Sequence, residues 1–152
     1  MSDFPNISFD NGSVHVTVDL RAYEERTKKA QQWLGDRVLE DCKACMPHLT
    51  GSLQQRSHTE DDGKKVVFPG PYARYLYGGK VMVDSVTGKG PRKIPTGPGE
   101  YILRFRKGAK LVPTSRPLTF SNPQAVPKWF EHAKEKHKQF WIDGVKDILG
   151  GK

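Results

Sequence analysis

Cysteine is scarce in this chain of 152 residues, with only Cys42 and Cys45, so the disulfide framework of a small secreted domain is excluded. Long apolar runs are missing too. No stretch approaches the ~20 residues that a membrane-spanning helix requires, and residues 1–10 lack the basic start and apolar run of a secretion signal. The expected setting is a cytosol, with no membrane partner. Apolar residues make up 36% of the chain, against about 45–50% with glycine included in an average globular protein.

Catalytic patterns are equally sparse. Neither Gly88-Lys89-Gly90-Pro91 nor Gly97-Pro98-Gly99 matches the Gly-x4-Gly-Lys-Ser/Thr phosphate loop, and neither opens a helix whose amides could hold phosphate. The five histidines are scattered; His132 and His137 stand five apart on one helix and so face different ways. No nucleophile lies at a recognisable spacing. The chain therefore reads as a non-enzyme without catalytic, cofactor-binding or metal-binding residues. Cys42 and Cys45 do form a Cys-x-x-Cys pair, which raises a redox couple or metal ligands completed by His48 and His58. Their place at the end of a long helix, near its apolar stripe, favours buried, inert thiols.

What is abundant is positive charge, and it is concentrated. Nine basic residues against Asp84 and Glu100 fall between positions 80 and 116, which accounts for seven of the net +8. The same quarter is rich in proline and glycine. It reads as a basic arm, 80–116, inserted into a single domain spanning 1–152. Its contact residues are expected to be Arg92, Lys93, Tyr101, Leu103, Arg104, Phe105, Arg106, Lys107 and Lys110. Tyr101, Leu103 and Phe105 would share one strand face and Arg104 and Arg106 the other. That pattern suits strand addition to a neighbour, and its cations suit acidic proteins or nucleic-acid phosphates. A solvated loop whose lysines aid solubility is the plainer alternative.

Along the chain, Ile7 and Phe9, then Asn11-Gly12, then Val14, Val16 and Val18 predict a hairpin. Asp19 is placed to cap a helix whose apolar stripe, from Leu20 and Tyr23 to Leu34, Val38, Cys42 and Cys45, ends before Pro47. A turn follows, then a second hairpin between positions 57 and 68 around Asp61-Asp62-Gly63. One or two helical turns carry Tyr72, Tyr75 and Tyr77 up to Gly78-Gly79, the rings packing with their hydroxyls at the rim. Within the arm, 81–83 continues as a strand, 84–99 reads as extended and mobile, and 101–105 pairs with 109–112 around Lys107-Gly108. Leu118-Thr119-Phe120 returns as a short strand. The last helix has Pro127 in its first turn and a stripe of Phe130, Ala133, His137, Phe140/Trp141, Val145 and Ile148/Leu149, with Gly150-Gly151 ending it. The fold class is α+β: an antiparallel sheet with a long N-terminal helix and a C-terminal helix packed on it, plus the extended arm.

The order of motifs adds a further indication. Pro47-His48-Leu49-Thr50-Gly51-Ser52-Leu53 with Ser57 closes a long helix; Pro71-Tyr72-Ala73 with Tyr75, Tyr77 and Gly78-Gly79 follows a strand. After a variable insertion come Pro117-Leu118-Thr119-Phe120 and Lys128-Trp129-Phe130-Glu131 with Ala133-Lys134 opening a final helix. This succession resembles the minor capsid or tail-completion proteins, small head–tail joining proteins of long-tailed bacteriophages. The resemblance covers roughly residues 20–149 and leaves the arm largely unmatched. It implies a structural subunit without catalysis, present in host cytoplasm during assembly and then in the virion neck. The implied partners are copies of itself in a ring, neighbouring head–tail connector, tail terminator or tail tube proteins, and genome DNA in the channel through non-specific contact. The residues alone leave a second class open, a small cytosolic nucleic-acid-binding protein using the arm on phosphates; a basic nuclease would need a His or Glu cluster that the sequence does not display.

Overall fold

The computed structural model describes residues 7–48 and 51–150, the side chains of Ile7, Pro71 and Tyr72 aside. The motif residues Leu49 and Thr50, and Gly151, expected to end the last helix, lie outside the described residues. The chain opens with an antiparallel hairpin, β1 (Ile7–Asp10) and β2 (His15–Val18), in register Phe9 to Val16 and Ile7 to Val18. Its turn is self-hydrogen-bonded: the Gly12 N–H donates to Asp10 Oδ1 at 2.7 Å, and the Ser13 and Val14 N–H groups to Asn11 Oδ1. Gly12, at φ 81°, supplies the left-handed residue that the reversal needs.

Helix α1 runs from Arg21 to Ala44, about 36 Å at 1.5 Å per residue. Asp19 takes part in its start, accepting the Arg21 N–H at 3.0 Å while the Arg21 guanidinium holds the same carboxylate. A short helix α2 (Ser52–Arg56) stands where the sequence reads as a simple turn. The second hairpin follows as β3 (His58–Glu60) and β4 (Lys65–Val67), then α3 (Pro71–Gly78), ended by Gly79 at φ 66°.

The tip of the second hairpin lies directly on α1. A Cβ on Gly35 would collide with the backbone of Gly63, and one on Gly63 would stand 2.7 Å from the Gln32 Cα. The Gln31 side-chain amide donates to the Gly63 carbonyl at 3.1 Å. Gly35→Ala therefore sets two effects against each other. Alanine gains about 1 kcal/mol of helix propensity, but overpacking costs about 1–3 kcal/mol and the obstructing atoms are backbone, which cannot swing aside. Thermal unfolding is expected to register a net destabilisation. Gly78→Ala, where a Cβ meets nothing within 4 Å, is expected to be neutral or mildly stabilising.

Helix α4 (Trp129–Leu149) runs antiparallel along α1. Trp129, Ala133 and Trp141 are its buried residues, and with Cys42, Cys45 and Met46 they form the core, flanked by Leu34, Val38, Phe68 and Tyr77. The expected stripe holds at the buried Ala133 and Trp141 and at the half-buried His137, Val145, Ile148 and Leu149, but Phe130 is 37% and Phe140 51% exposed. The reason is the helix start. Pro127 lies before the cap, where it packs on Gly79, and Lys128 caps at φ 51°, so that Trp129 is the first residue turned inward. Its ring meets Phe68 edge-on at 5.6 Å and Tyr77 at 4.8 Å. The Tyr77 hydroxyl donates to Glu131, which holds that carboxyl below its ordinary range, while burial pushes the phenol up.

Between the long helices a buried carboxylate, Asp41, accepts the Trp141 indole N–H at 2.7 Å and two bonds from Arg37. This satisfies a charge that would otherwise be costly to bury. Further along, the Trp33 ring lies over Gly144, where no side chain would fit, and meets Phe140 at 6.0 Å. The helices thus pack on each other rather than on a broad sheet.

The remaining strands are β5 (Lys80–Asp84), β6 (Arg92–Gly97), β7 (Glu100–Arg104) and β8 (Leu111–Pro117). The α+β class stands, but the strands are divided among four two-stranded antiparallel ladders, β1–β2, β3–β4, β5–β8 and β6–β7. Pro95, Pro113 and Pro117 remove ladder donors from β6 and β8, which limits lateral growth into one sheet. Residues 118–120 form no strand; the Leu118 N–H instead bonds the Gly79 carbonyl at 2.9 Å.

Candidate functional site

The basic arm has a root and a tip. At the root, β5 pairs with β8, not 101–105 with 109–112 as the sequence suggests. At the tip, β6 pairs with β7 in register Arg92–Arg104, Lys93–Leu103, Ile94–Ile102 and Pro95–Tyr101. Gly97-Pro98-Gly99-Glu100 makes the reversal, with Gly99 at φ 75°. Proline followed by a positive-φ glycine is the chemistry of a type II turn, and it outcompetes Lys107-Gly108 as the hairpin signal.

Residues 84–90, read as extended and mobile, instead form a closed turn. The Asp84 N–H donates to the Lys89 carbonyl at 2.9 Å, the Gly88 N–H to the Asp84 carbonyl at 2.7 Å and the Ser85 N–H to the Lys110 carbonyl at 2.8 Å. The Asp84 side chain is buried, accepts the Val86 N–H and is gripped by Arg106 Nε at 3.0 Å and Nη2 at 3.4 Å. Arg106 is therefore engaged within its own molecule through one edge of its guanidinium, while its side chain stays about half exposed. Its guanidinium holds the Asp84 carboxyl below the usual 3.8. The group's lowered folded-state pKa means that its contribution is complete above 3.8 and is lost only as pH falls through a still lower value. Amide exchange in residues 85–90 is expected to show no pH-linked loosening between neutrality and pH ~5, and Asp84→Asn to speed it throughout that range.

The other sequence-predicted contact residues divide between tip and root. Arg92, Lys93, Tyr101, Leu103 and Arg104 are on the β6–β7 ribbon and exposed. One ribbon face carries Ile94 and Ile102 directly opposed, bordered by the opposed Arg92 and Arg104. The other carries Pro95, Tyr101, Leu103 and Lys93, whose ammonium stands 4.6 Å from the centre of the Tyr101 ring. Phe105 is half-buried beyond the strand, and Lys107 and Lys110 are exposed at the root. Like charges opposed across a ladder are unfavourable. Among the described residues, no ion pair is found for Arg92, Lys93 or Arg104. Ile94 and Ile102, at 40% and 38% exposure, are missed by the sequence reading, although the Gly97-Pro98-Gly99 turn would have placed them. Beside the root, Arg74, Tyr75, Lys80, Met82 and Pro113 line an open groove of about 530 Å³.

Elsewhere, burial pushes the Cys42 thiol up to about 12 and raises that of Cys45 as well. Cys45 Sγ lies 3.5 Å from the Trp129 carbonyl, so both sulfurs are packing groups of the core. Among the described residues, no three His, Cys, Asp or Glu side chains converge to hold a metal ion, and no helix is long and apolar enough to cross a membrane. No protein-family model matches the chain, and no curated protein or solved structure is significantly similar to it.

Proposed function

We propose that this chain is a structural virion subunit that joins phage head to tail in the neck, acting through its interfaces and without catalysis. Its partners on this reading are copies of itself in a ring and neighbouring connector, tail terminator or tail tube proteins. The observation that carries the reading is surface. The chain exposes 11188 Å², whereas a compact monomer of 17.1 kDa exposes about 7,700 Å². The excess fits a protomer with two projecting ribbons, β1–β2 and β6–β7, each pairing with no other strand. A two-stranded ribbon is marginal in water on its own, so both suit completion by a neighbour. The succession of motifs resembling head–tail joining proteins points the same way. Negative-stain images of phage particles labelled on this protein are expected to carry label at the junction of head and tail; label elsewhere, or none, overturns the proposal.

The opposed Arg92 and Arg104 favour one second reading, nucleic-acid binding through the ribbon. It requires an affinity whose logarithm falls with log salt by about 0.7–0.9 per phosphate contacted, and a slope that shrinks when Arg92, Lys93 and Arg104 become alanine. Absence of any complex at low salt removes it.

A further inference from the structure

We infer that the groove at the root of the arm, between α3 and the β5–β8 ladder, docks an acidic peptide segment of another protein, taking an apolar side chain flanked by carboxylates. The surface is separate from the ribbon, and the inference stands apart from the neck assignment.

The groove is fixed before anything enters it. Arg74 and Tyr75 of α3 form one wall, and Met82 of β5 with Leu111 and Pro113 of β8 form the floor. Gly79 ends α3 with its N–H on the Tyr75 and Leu76 carbonyls and leads directly into β5, while its own carbonyl accepts the Leu118 N–H at 2.9 Å just past β8. Thr114 Oγ1 donates to the Val81 carbonyl at 2.8 Å and ties the two strands together. A site held in this way loses little conformational freedom when it is filled.

The lining selects the occupant. Tyr75, Met82 and Leu111 are half-buried and Pro113 is exposed, beneath about 530 Å³ of space that opens to solvent. Enclosed pockets of that size take small molecules; an open one suits a segment laid across the surface. Bases of nucleic acids stack on aromatic platforms, and the only ring lining this groove, Tyr75, has the Arg74 guanidinium over it at 5.2 Å. A floor of methionine, leucine and proline fits an apolar side chain instead, and methionine adapts to the shape of what it meets.

Charge completes the selection. Arg74 and Lys80 stand exposed in the lining, and no ion pair is found for either among the described residues. Within α3, β5 and β8 the one acidic residue is Asp84, which is buried and held by Arg106. The Arg74 Nη2–H donates to the Tyr75 hydroxyl at 3.3 Å, which steadies the guanidinium and leaves its other N–H groups for an incoming acceptor. An arginine fork and an ammonium beside an apolar floor match carboxylates beside an apolar side chain. A phosphodiester chain would satisfy the cations but offers no aliphatic group to the floor.

Fluorescence anisotropy with the full chain tests this, using the dye-labelled peptide Ser-Asp-Glu-Leu-Glu-Phe-Ser as probe. Saturable binding is expected, at least about tenfold weaker when serine replaces the leucine and phenylalanine. A counterpart with lysine in place of every acid is expected not to bind. Arg74→Ala with Lys80→Ala is expected to weaken the probe by about tenfold or more, with the melting temperature near that of the wild type because both side chains are exposed. Arg92→Ala with Lys93→Ala and Arg104→Ala removes more charge at the distant ribbon, and is expected to change the affinity by no more than about twofold. Absence of binding overturns the inference, as does a serine counterpart that binds equally well, or a ribbon variant that loses as much affinity as the groove variant. A short DNA duplex that displaces the probe, and whose own binding falls in the groove variant, would make the groove a nucleic-acid surface and also overturn it. The neck assignment is decided separately by the labelled particles.

Discussion

Trp129→Ala is expected to cost about 3–5 kcal/mol and to lower the melting temperature by roughly 10 °C or more, the largest effect of any single truncation in this chain. The indole is 1% exposed and is gripped edge-on by Phe68 and Tyr77 at the point where α1, α3 and α4 converge. Its removal leaves a cavity among elements whose backbones are tied together: the Val126 N–H bonds the Cys45 carbonyl, and the Lys128 N–H bonds the Tyr77 carbonyl. Collapse around the void is therefore restricted. The neighbouring Phe130→Ala supplies the contrast. Phe130 is 37% exposed and stacks on Trp141 at 6.4 Å, so its loss is expected to cost about 1 kcal/mol. Calorimetric unfolding of the two variants compares them directly. Equal costs would mean that α4 presents a different face to α1.

The second large effect separates stability from assembly. Replacing residues 91–105 by a short glycine-serine turn is expected to leave the melting temperature within about 2 °C, because the ribbon contributes no residue to the core. The root survives the excision, since β5 still pairs with β8 and Asp84 with Arg106. If the ribbon is a joining surface, particle assembly with the excised chain falls to background in a complementation assay, and the protein accumulates folded and unincorporated. A collapse in thermal stability would show that the ribbon is part of the fold; normal particle yield would show that it is dispensable for joining.

How far the fold was legible in the sequence follows from the range of the interactions. The Asp10–Ser13 turn, the Asp61-Asp62-Gly63 turn, the long first helix and the Gly79 stop are written in neighbouring residues and were readable. The facing of α4 was readable at Ala133 and Trp141 but not in its first turn, where Trp129 and Phe130 are adjacent aromatics and Lys128, at φ 51° before that turn, leaves Trp129 as the inward one. Pairing in the arm failed for a different reason. Two glycine turns compete there, and only the closing partners, β8 returning to β5 across more than twenty residues, determine which one makes a hairpin. Of the candidate site, the cations and Tyr101 were readable from charge and alternation. The occupation of Arg106 by Asp84 was not, since it joins groups 22 positions apart. The exposure of Phe9, Val16 and Val18 was also hidden, because alternation alone reports a face without saying whether the molecule covers it.

Amide hydrogen exchange, read on residues 92–104 in the free chain and again in the phage particles to which the proposal assigns it, bears most directly on the central claim that the ribbon is completed by a neighbour. In the free chain these amides are expected to exchange at the fast rates of an isolated two-stranded ladder, and in the particle to slow strongly while the α1–α4 core changes little. Rates in the ribbon that are the same in both states would contradict the account.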